Sequence, residues 1–235
     1  MTTACGEPIG RGLPRPVEAL LAFGGLVVTA PLLVLAALAV RLSSRGPVLF
    51  RQQRLGRGGK PFTLCKFRSM VRDRQGPAVT AGDDRRITAV GRILRRTKID
   101  ELPELWCVLV GEMSLVGPRP EVPEYVDLRD PLWQKVLEVR PGLTDPVTLR
   151  LRHEEELLAT VATDREDYYR RILLPFKLRG YLEYLATRTA GSDLGVLAST
   201  LVGLILPGRV SPPGREEIEA VAASVTGGER EGKRP

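Results

Sequence analysis

Aromatic residues are scarce, at 5% of 235 residues. That excludes a single-strand nucleic-acid platform, which needs successive stacking faces. Histidine occurs once, as His153, within Arg150-Leu151-Arg152-His153-Glu154-Glu155-Glu156. Without a second histidine or a serine elbow there is no basis for a histidine-based triad, and His153 reads as a surface residue ahead of a solvated acidic helix start. Cysteine is rare, odd in number and scattered (Cys5, Cys65, Cys107). These cysteines make no disulfide framework and no CxxC metal knuckle, so reduced, buried thiols are expected. No internal repeat is present. Residues 41–60 lack any acid while carrying Arg41, Arg45, Arg51, Arg54, Arg57 and Lys60. Such a local basic patch, in a chain of formal net charge +7, calls for an anionic partner. Within it, Gly56-Arg57-Gly58-Gly59-Lys60 lacks both the Walker spacing and the Ser/Thr that must follow the lysine, so it reads as a hairpin turn.

One long apolar run is present. Residues 19–40 carry no charge, and at about 1.5 Å per residue they make about 33 Å of helix, enough for a hydrocarbon core of about 30 Å. At 22 uncharged residues the run is too long for the apolar region of a cleaved signal peptide. Pro31 removes a backbone donor mid-run and predicts a kink. Both flanks are basic, with Arg11 and Arg15 before and residues 41–60 after. The residues leave two topologies open: a straight span, or a helix that bends at Pro31 and returns to the same face, as the two basic flanks prefer.

Beyond it, residues 48–53 and 62–67 read as short strands around the glycine-rich turn. Alternation places Lys66 and Arg68 on one face, a spacing that lets two cations meet one phosphate. A short helix is predicted over 88–96, and another starting at Asp100 with Pro103 in its first turn. There the helix N-terminus would favour an ionised Asp100. Helices are also predicted over 121–139, 167–188 and 193–206, the last either core or interfacial. Residues 139–144 read as a rigid turn carrying Arg140. The stretch 208–235, rich in proline, glycine and charge, reads as a mostly disordered tail.

The chemistry concentrates in residues 98–120, KIDELPELWCVLVGEMSLVGPRP. A carboxylate pair, Asp100-Glu101, opens it, and Arg119 stands between two prolines at its end. A carboxylate that can attack or hold a metal, close to a rigidly placed guanidinium, suits reactions of phosphate esters.

In order along the chain stand Gly46-Pro47-Val48-Leu49-Phe50, Gln53-Arg54-Leu55-Gly56, Lys66-Phe67-Arg68-Ser69-Met70, Asp100-Glu101-Leu102-Pro103, residues 111–120 (GEMSLVGPRP) and Arg140-Pro141-Gly142-Leu143-Thr144. This ordered set, spread over residues 16–144, resembles the bacterial sugar transferases, the monotopic polyprenyl-phosphate phosphoglycosyl transferases, in their minimal catalytic form without the multi-helix N-terminal extension of larger relatives. The resemblance implies transfer of a sugar 1-phosphate from a nucleoside diphosphate sugar, usually a UDP-sugar, to undecaprenyl phosphate, releasing UMP and starting exopolysaccharide, capsule or O-antigen (lipopolysaccharide) assembly. It also implies Mg²⁺ as cofactor, held by Asp100 and Glu101, and a covalent phosphosugar intermediate on Asp100 with Glu101 assisting. Arg119, Arg95, Lys66, Arg68 and Arg140 become the substrate-binding candidates, and Pro31 the membrane kink. Two departures stand out. Ala30-Pro31 replaces the family's Ser-Pro, and Asp145-Pro146-Val147-Thr148 replaces Gly-Trp-Ala-Gln, so the sugar is not carried over.

The expected fold is α+β and mostly helical. A kinked re-entrant membrane helix (17–43) follows a short flank (1–16) and leads to a small cytoplasmic catalytic domain (44–207) with a β-hairpin and interfacial amphipathic helices, then the tail (208–235). The expected location is the inner (cytoplasmic) membrane of a bacterium, against anionic lipid headgroups. No nucleic-acid partner is expected, and a homodimer is compatible with the sequence without being specified by it. The rival readings are a non-enzymatic basic adaptor anchored to a membrane, and a membrane phosphohydrolase using the same aspartate.

Overall fold

The computed structural model describes residues 9–71, 80–162, 164–206 and 211–231. The apolar run forms α1 (Arg15–Ser43), whose helical path is continuous through Pro31. Among the described residues it is the one helix long and apolar enough to cross a membrane.

Both ends of α1 are seated on the rest of the protein. At its start, Glu18 Oε1 accepts from Leu115 N at 3.1 Å, and Arg15 donates to the carbonyls of Val108 and of Leu109, the latter at 3.0 Å. Just before it, Leu13 N donates to Asp193 Oδ2 at 2.9 Å. Towards its end, Ala36 and Val40 pack with Phe67 and Leu94. Between these anchors Val27, Val28, Pro31, Leu32, Val34 and Leu35 are exposed. The middle of α1 is thus an uncovered apolar surface between two seated ends, a patch of the kind that marks an interaction site.

The predicted hairpin forms as β1 (Leu49–Leu55) and β2 (Pro61–Phe67), antiparallel, with Leu49 opposite Phe67 and Leu55 opposite Pro61. Gly58 and Gly59 both adopt positive φ in the turn, which glycine does without steric cost. Cys107 is buried, Cys65 half-buried, and both are free thiols, while Cys5 lies outside the described residues. Burial pushes the Cys107 thiol up to about 11.

Next comes α2 (Ala89–Thr97), with Thr88 Oγ1 accepting from Gly91 N as its cap. It closes on Lys98, whose φ of 59° is the one positive value at a non-glycine residue among those described. The chain then differs from the expected helix beginning at Asp100. Ile99–Glu101 is a 3₁₀ turn, and α3 (Glu104–Val110) starts only behind Pro103. Proline lacks the N–H that would continue one helix through this point.

A short parallel pair, β3 (Ser114–Val116) and β4 (Gly142–Thr144), joins residues 114–116 to the segment expected to be only a turn. A Cβ on Gly142 would lie 2.1 Å from Gly117 N, so the two backbones approach this closely only because no side chain intervenes. The predicted helix over 121–139 is a correction. Pro123 and Pro131 split it into a 3₁₀ turn (Pro123–Tyr125) and α4 (Pro131–Val136), with Asp130 capping the latter.

Further along lie α5 (Pro146–Arg150), α6 (Glu154–Ala159) and α7 (Arg165–Tyr168). A π-helical turn (Tyr169–Leu173) leads from α7 into α8 (Leu174–Thr187), and α9 (Ala190–Ile205) follows with a Thr189/Ser192 capping box. The largest core cluster gathers Trp133, Val147, Leu158, Leu173, Tyr181 and Ile218.

Ile218 overturns the disordered tail. Residues 215–231 form α10 (Arg215–Glu231), which buries Ile218 and Ala222, pairs Glu217 with Arg150, and sets Arg215 over the Tyr168 ring. Average composition hides the four-residue spacing of its two buried positions. Residues 208–210 and 232–235 lie outside the described residues.

Candidate active site

Three elements converge: the 3₁₀ turn with Asp100 and Glu101, β2 with Lys66, and the Pro118-Arg119-Pro120 segment after β3. Glu101 is the hub. Its Oε1 accepts from Lys66 Nζ at 3.0 Å and from Arg119 Nη2, and its Oε2 accepts from Arg119 Nη1 at 3.4 Å. Lys98 Nζ stands 4.0 Å from the same Oε1. The sequence separation from Lys66 to Glu101 is 35 and from Glu101 to Arg119 is 18, so only the folded chain makes this contact.

Asp100 stands beside this cluster but outside its pairing. It is 6% exposed, and its Oδ1 is buried with no hydrogen-bond partner among the described residues. The two carboxyls are driven apart. Burial, reinforced by the Glu101 charge, raises that of Asp100, against the pull of Lys66, Lys98 and Arg95. Burial also pushes Glu101 upward, but Arg119, Lys66 and Lys98 together hold it well below the usual carboxylate range. Arg119 is correspondingly pushed well above its ordinary value by Glu101. The expectation that a helix N-terminus lowers the Asp100 carboxyl is therefore corrected in direction: the carboxyl is raised. Asp100 is in the turn before α3, and a terminal dipole worth about 0.3–1 kcal/mol does not offset burial and a like charge on the adjacent residue.

Of the remaining predicted ligands, Arg95 lies near the site and two do not join it. Arg95 donates Nη1 to Ser69 Oγ at 3.1 Å and Nε to Glu155 Oε2 at 3.1 Å, with a second contact from Nη2 to Glu155 Oε1. Arg68 is a correction. It is buried, and its guanidinium serves the carbonyls at the end of α1: Ser44 at 2.7 Å, Val40 at 3.3 Å, and Pro47. β2 ends at Phe67, so the strand alternation that would keep Arg68 beside Lys66 no longer applies to it. Arg140 donates Nε to Gly111 O at 2.8 Å, at the opposite end of α3 from the carboxylates. Cations at helix C-termini answer carbonyls without partners, and that is how these two are used. His153 is exposed and faces Glu156, as expected of a surface residue.

Three participants escape the sequence reading. Glu104 is 1% exposed in the first turn of α3, with Oε1 3.2 Å from Lys66 Nζ. Burial, opposed by Lys66, raises its carboxyl. Its spacing of four from Asp100 is the available signal. Lys98 and Glu155 are the others. The acidic start of α6 is not simply solvated, because Glu154 Oε1 accepts from Lys177 at 2.9 Å while Glu155 holds Arg95.

The donor chemistry bears on the expected Mg²⁺. No group of three or more His, Cys, Asp or Glu side chains encloses a metal position among the described residues. Both Glu101 oxygens already face cations, leaving Asp100 as the carboxyl of the pair with no cation or hydrogen-bond donor on it among the described residues. This set fits an ion that arrives with a diphosphate and keeps most of its ligands from phosphate and water, as Mg²⁺ commonly does.

A family described as bacterial sugar transferase matches residues 10–206. Similar proteins include a "UDP-glucose:undecaprenyl-phosphate glucose-1-phosphate transferase" of Caulobacter vibrioides, 43% identical over 75% of this chain and 63% of that one. An "undecaprenyl-phosphate glucose phosphotransferase" of Komagataeibacter xylinus is 40% identical over 75% of this chain and 32% of its own. A "UDP-N-acetylgalactosamine-undecaprenyl-phosphate N-acetylgalactosaminephosphotransferase" of Aeromonas hydrophila is 39% identical over 59% and 34%. The chain thus spans less than two thirds of the length of each of these three relatives.

Proposed function

The chain belongs to the bacterial sugar transferase family, and from that premise we propose that it transfers a sugar 1-phosphate from a UDP-sugar to undecaprenyl phosphate. The observation that carries this reading is the division of labour in the carboxylate pair. Glu101 is immobilised among Arg119, Lys66 and Lys98, whereas the buried Asp100 keeps an oxygen without a partner among the described residues. A desolvated carboxylate, raised in pKa and unencumbered by hydrogen bonds, is the better nucleophile of the two.

The reaction proceeds in two displacements. The Asp100 carboxylate attacks the phosphorus next to the sugar, the bond from that phosphorus to the bridging oxygen breaks, and UMP departs carrying the bridging oxygen and the bonding electron pair. A phosphosugar on Asp100 remains. An oxygen of undecaprenyl phosphate then attacks the same phosphorus, the Asp100 acyl phosphate bond breaks, and the carboxylate is regenerated beside the lipid-linked diphosphate. Lys66 and Arg119 neutralise the phosphoryl oxygens, and Glu101 keeps both cations in place. Bound Mg²⁺ would screen the negative charge of the diphosphate from the carboxylates, with Asp100 and Glu101 the nearest protein oxygens. The product would initiate assembly of an exopolysaccharide-type glycan.

The proposed membrane placement is supported by α1. Both its ends are fastened to one body while its middle is exposed and apolar, which supports a re-entrant helix with both ends on the cytoplasmic face of the inner membrane. Ile93 on α2, Trp106 and Val110 on α3, and Leu194 and Leu201 on α9 are large, exposed and apolar, and they suit an interfacial layer. Arg41, Arg45 and Arg51 are exposed and would meet anionic headgroups. Cysteines introduced as Arg11→Cys and Arg45→Cys, in a chain freed of its own cysteines, should both resist an impermeant maleimide in intact cells and react after permeabilisation. Labelling of either one from the periplasmic side refutes the re-entrant arrangement.

The central test is UMP release from a panel of UDP-sugars by purified protein with Mg²⁺. Release over many turnovers that requires undecaprenyl phosphate supports the transferase, for which at most one UMP per enzyme is freed without the lipid. Sustained turnover that ignores the lipid favours phosphohydrolysis, and no release from a folded, membrane-bound sample favours an adaptor.

A further inference from the structure

Arg95 is held by a carboxylate in the manner in which arginine holds phosphate. Its Nε and Nη2 engage the two oxygens of Glu155, and its Nη1 engages Ser69 Oγ. This planar two-point contact is interchangeable between carboxylate and phosphate oxygens. The arginine lies in the last turn of α2, and its charge acts on Asp100. Glu155 comes from α6, in the part of the chain after Thr144. Gly82 N donates to Glu155 O at 2.9 Å, so the backbone at this point is tied down. The side chain is freer than its partner, at 37% exposed against 19% for Arg95. The preceding residue, Glu154, places a further negative charge where Arg119 feels it. An incoming diphosphate therefore meets an acidic turn facing the cations that flank Asp100.

We propose that Glu155 is a built-in competitor for the donor diphosphate: it occupies Arg95 in the free enzyme, yields it to a phosphoryl oxygen when the donor binds, and thereby sets donor affinity. The pair is only partly buried, and a phosphoryl oxygen replaces the carboxylate contacts one for one, so the exchange is reversible. Arg95 remains oriented by Ser69 while Glu155 swings into solvent. This inference rests on the phosphoglycosyl transferase reading for the identity of the ligand.

The test is calorimetric binding of UDP, with Mg²⁺, to the full chain in detergent. Glu155→Gln should tighten UDP binding about three- to tenfold. In an Arg95→Gln background the same substitution should change nothing, because the contested cation is gone. Glu155→Asp, too short to keep both contacts, should shift affinity in the same direction and serves if the glutamine variant does not fold. Unchanged or weaker UDP binding in these variants overturns the proposal and makes Glu155 a positioning residue for Arg95 or a bystander. Lipid-dependent UMP release by the unaltered chain is scored separately. If it is present, a failed affinity shift counts against the competitor alone. If it is absent while the shift appears, the competitor stands and the transferase reading falls.

Discussion

Asp100→Asn removes turnover, by about 10⁴-fold or more, while leaving the protein as stable as the unaltered chain or more so. The expected rate loss follows from the proposed mechanism: an amide would not form the phosphosugar bond, and loss of a covalent nucleophile is among the costliest single changes an active site can undergo. Stability follows from burial. The Asp100 carboxyl is raised above its ordinary value of 3.8, chiefly by burial and then by Glu101. The folded protein thus holds that proton more tightly than the unfolded chain does. The associated stabilisation is fully present below the ordinary value and is lost as pH rises through the raised one. At neutral pH the ionised side chain is then a cost, which a neutral isostere removes. Thermal unfolding and UMP release, measured on one preparation, check both halves. Full activity in the asparagine variant would sink Asp100 as nucleophile. A large loss of stability would contradict the burial argument.

Asp193→Leu should be strongly destabilising, costing about 3–5 kcal/mol. Asp193 is fully buried at the start of α9. It accepts from Arg188 Nε at 3.0 Å and Nη2 at 2.9 Å, from Leu13 N at 2.9 Å, and from the Tyr184 hydroxyl. Arg188 Nη2 also donates to Val116 O at 2.8 Å, at the end of β3. One carboxylate thus clasps the entry to α1, the start of α9 and, through Arg188, the strand leading to Arg119. Leucine would leave a buried guanidinium without a counter-charge and two donors without acceptors. For a chain of this size the melting temperature should fall by about 10 °C. Asp193→Asn keeps an acceptor and should cost clearly less. A leucine variant that melts within about 2 °C of the unaltered chain, against the fall expected for a buried ion pair, would remove the clasp from the account.

How much is legible varies by residue and for identifiable reasons. The hairpin is visible in the sequence because alternation and a glycine-rich turn are local signals, and its expected strands end close to the observed ones. The tail is hidden because proline, glycine and charge dominate its average while Ile218 and Ala222 carry its packing. Pro123 and Pro131 are in plain view, yet apolar spacing between Glu121 and Val139 favours one helix over the two shorter pieces that form. Arginines are the hardest to place. Arg119, stiffened by two prolines, can be assigned to the carboxylates, whereas Arg68 and Arg140 are engaged by helix carbonyls that no linear pattern reveals.

By itself, the sequence determined that one apolar segment precedes a basic stretch, that an Asp-Glu pair stands a fixed distance before a proline-bracketed arginine, and that the ordered motifs are those of the bacterial sugar transferase family. Tertiary structure alone decided which carboxylate is neutralised and which is left open, that both ends of α1 rest on one body, and that Glu155 reaches Arg95. The physical reason is the range of the forces involved. Periodicity and turn chemistry act over a few neighbouring residues, whereas the charge state of a carboxyl depends on burial and on cations that packing delivers from 18 to 35 residues away.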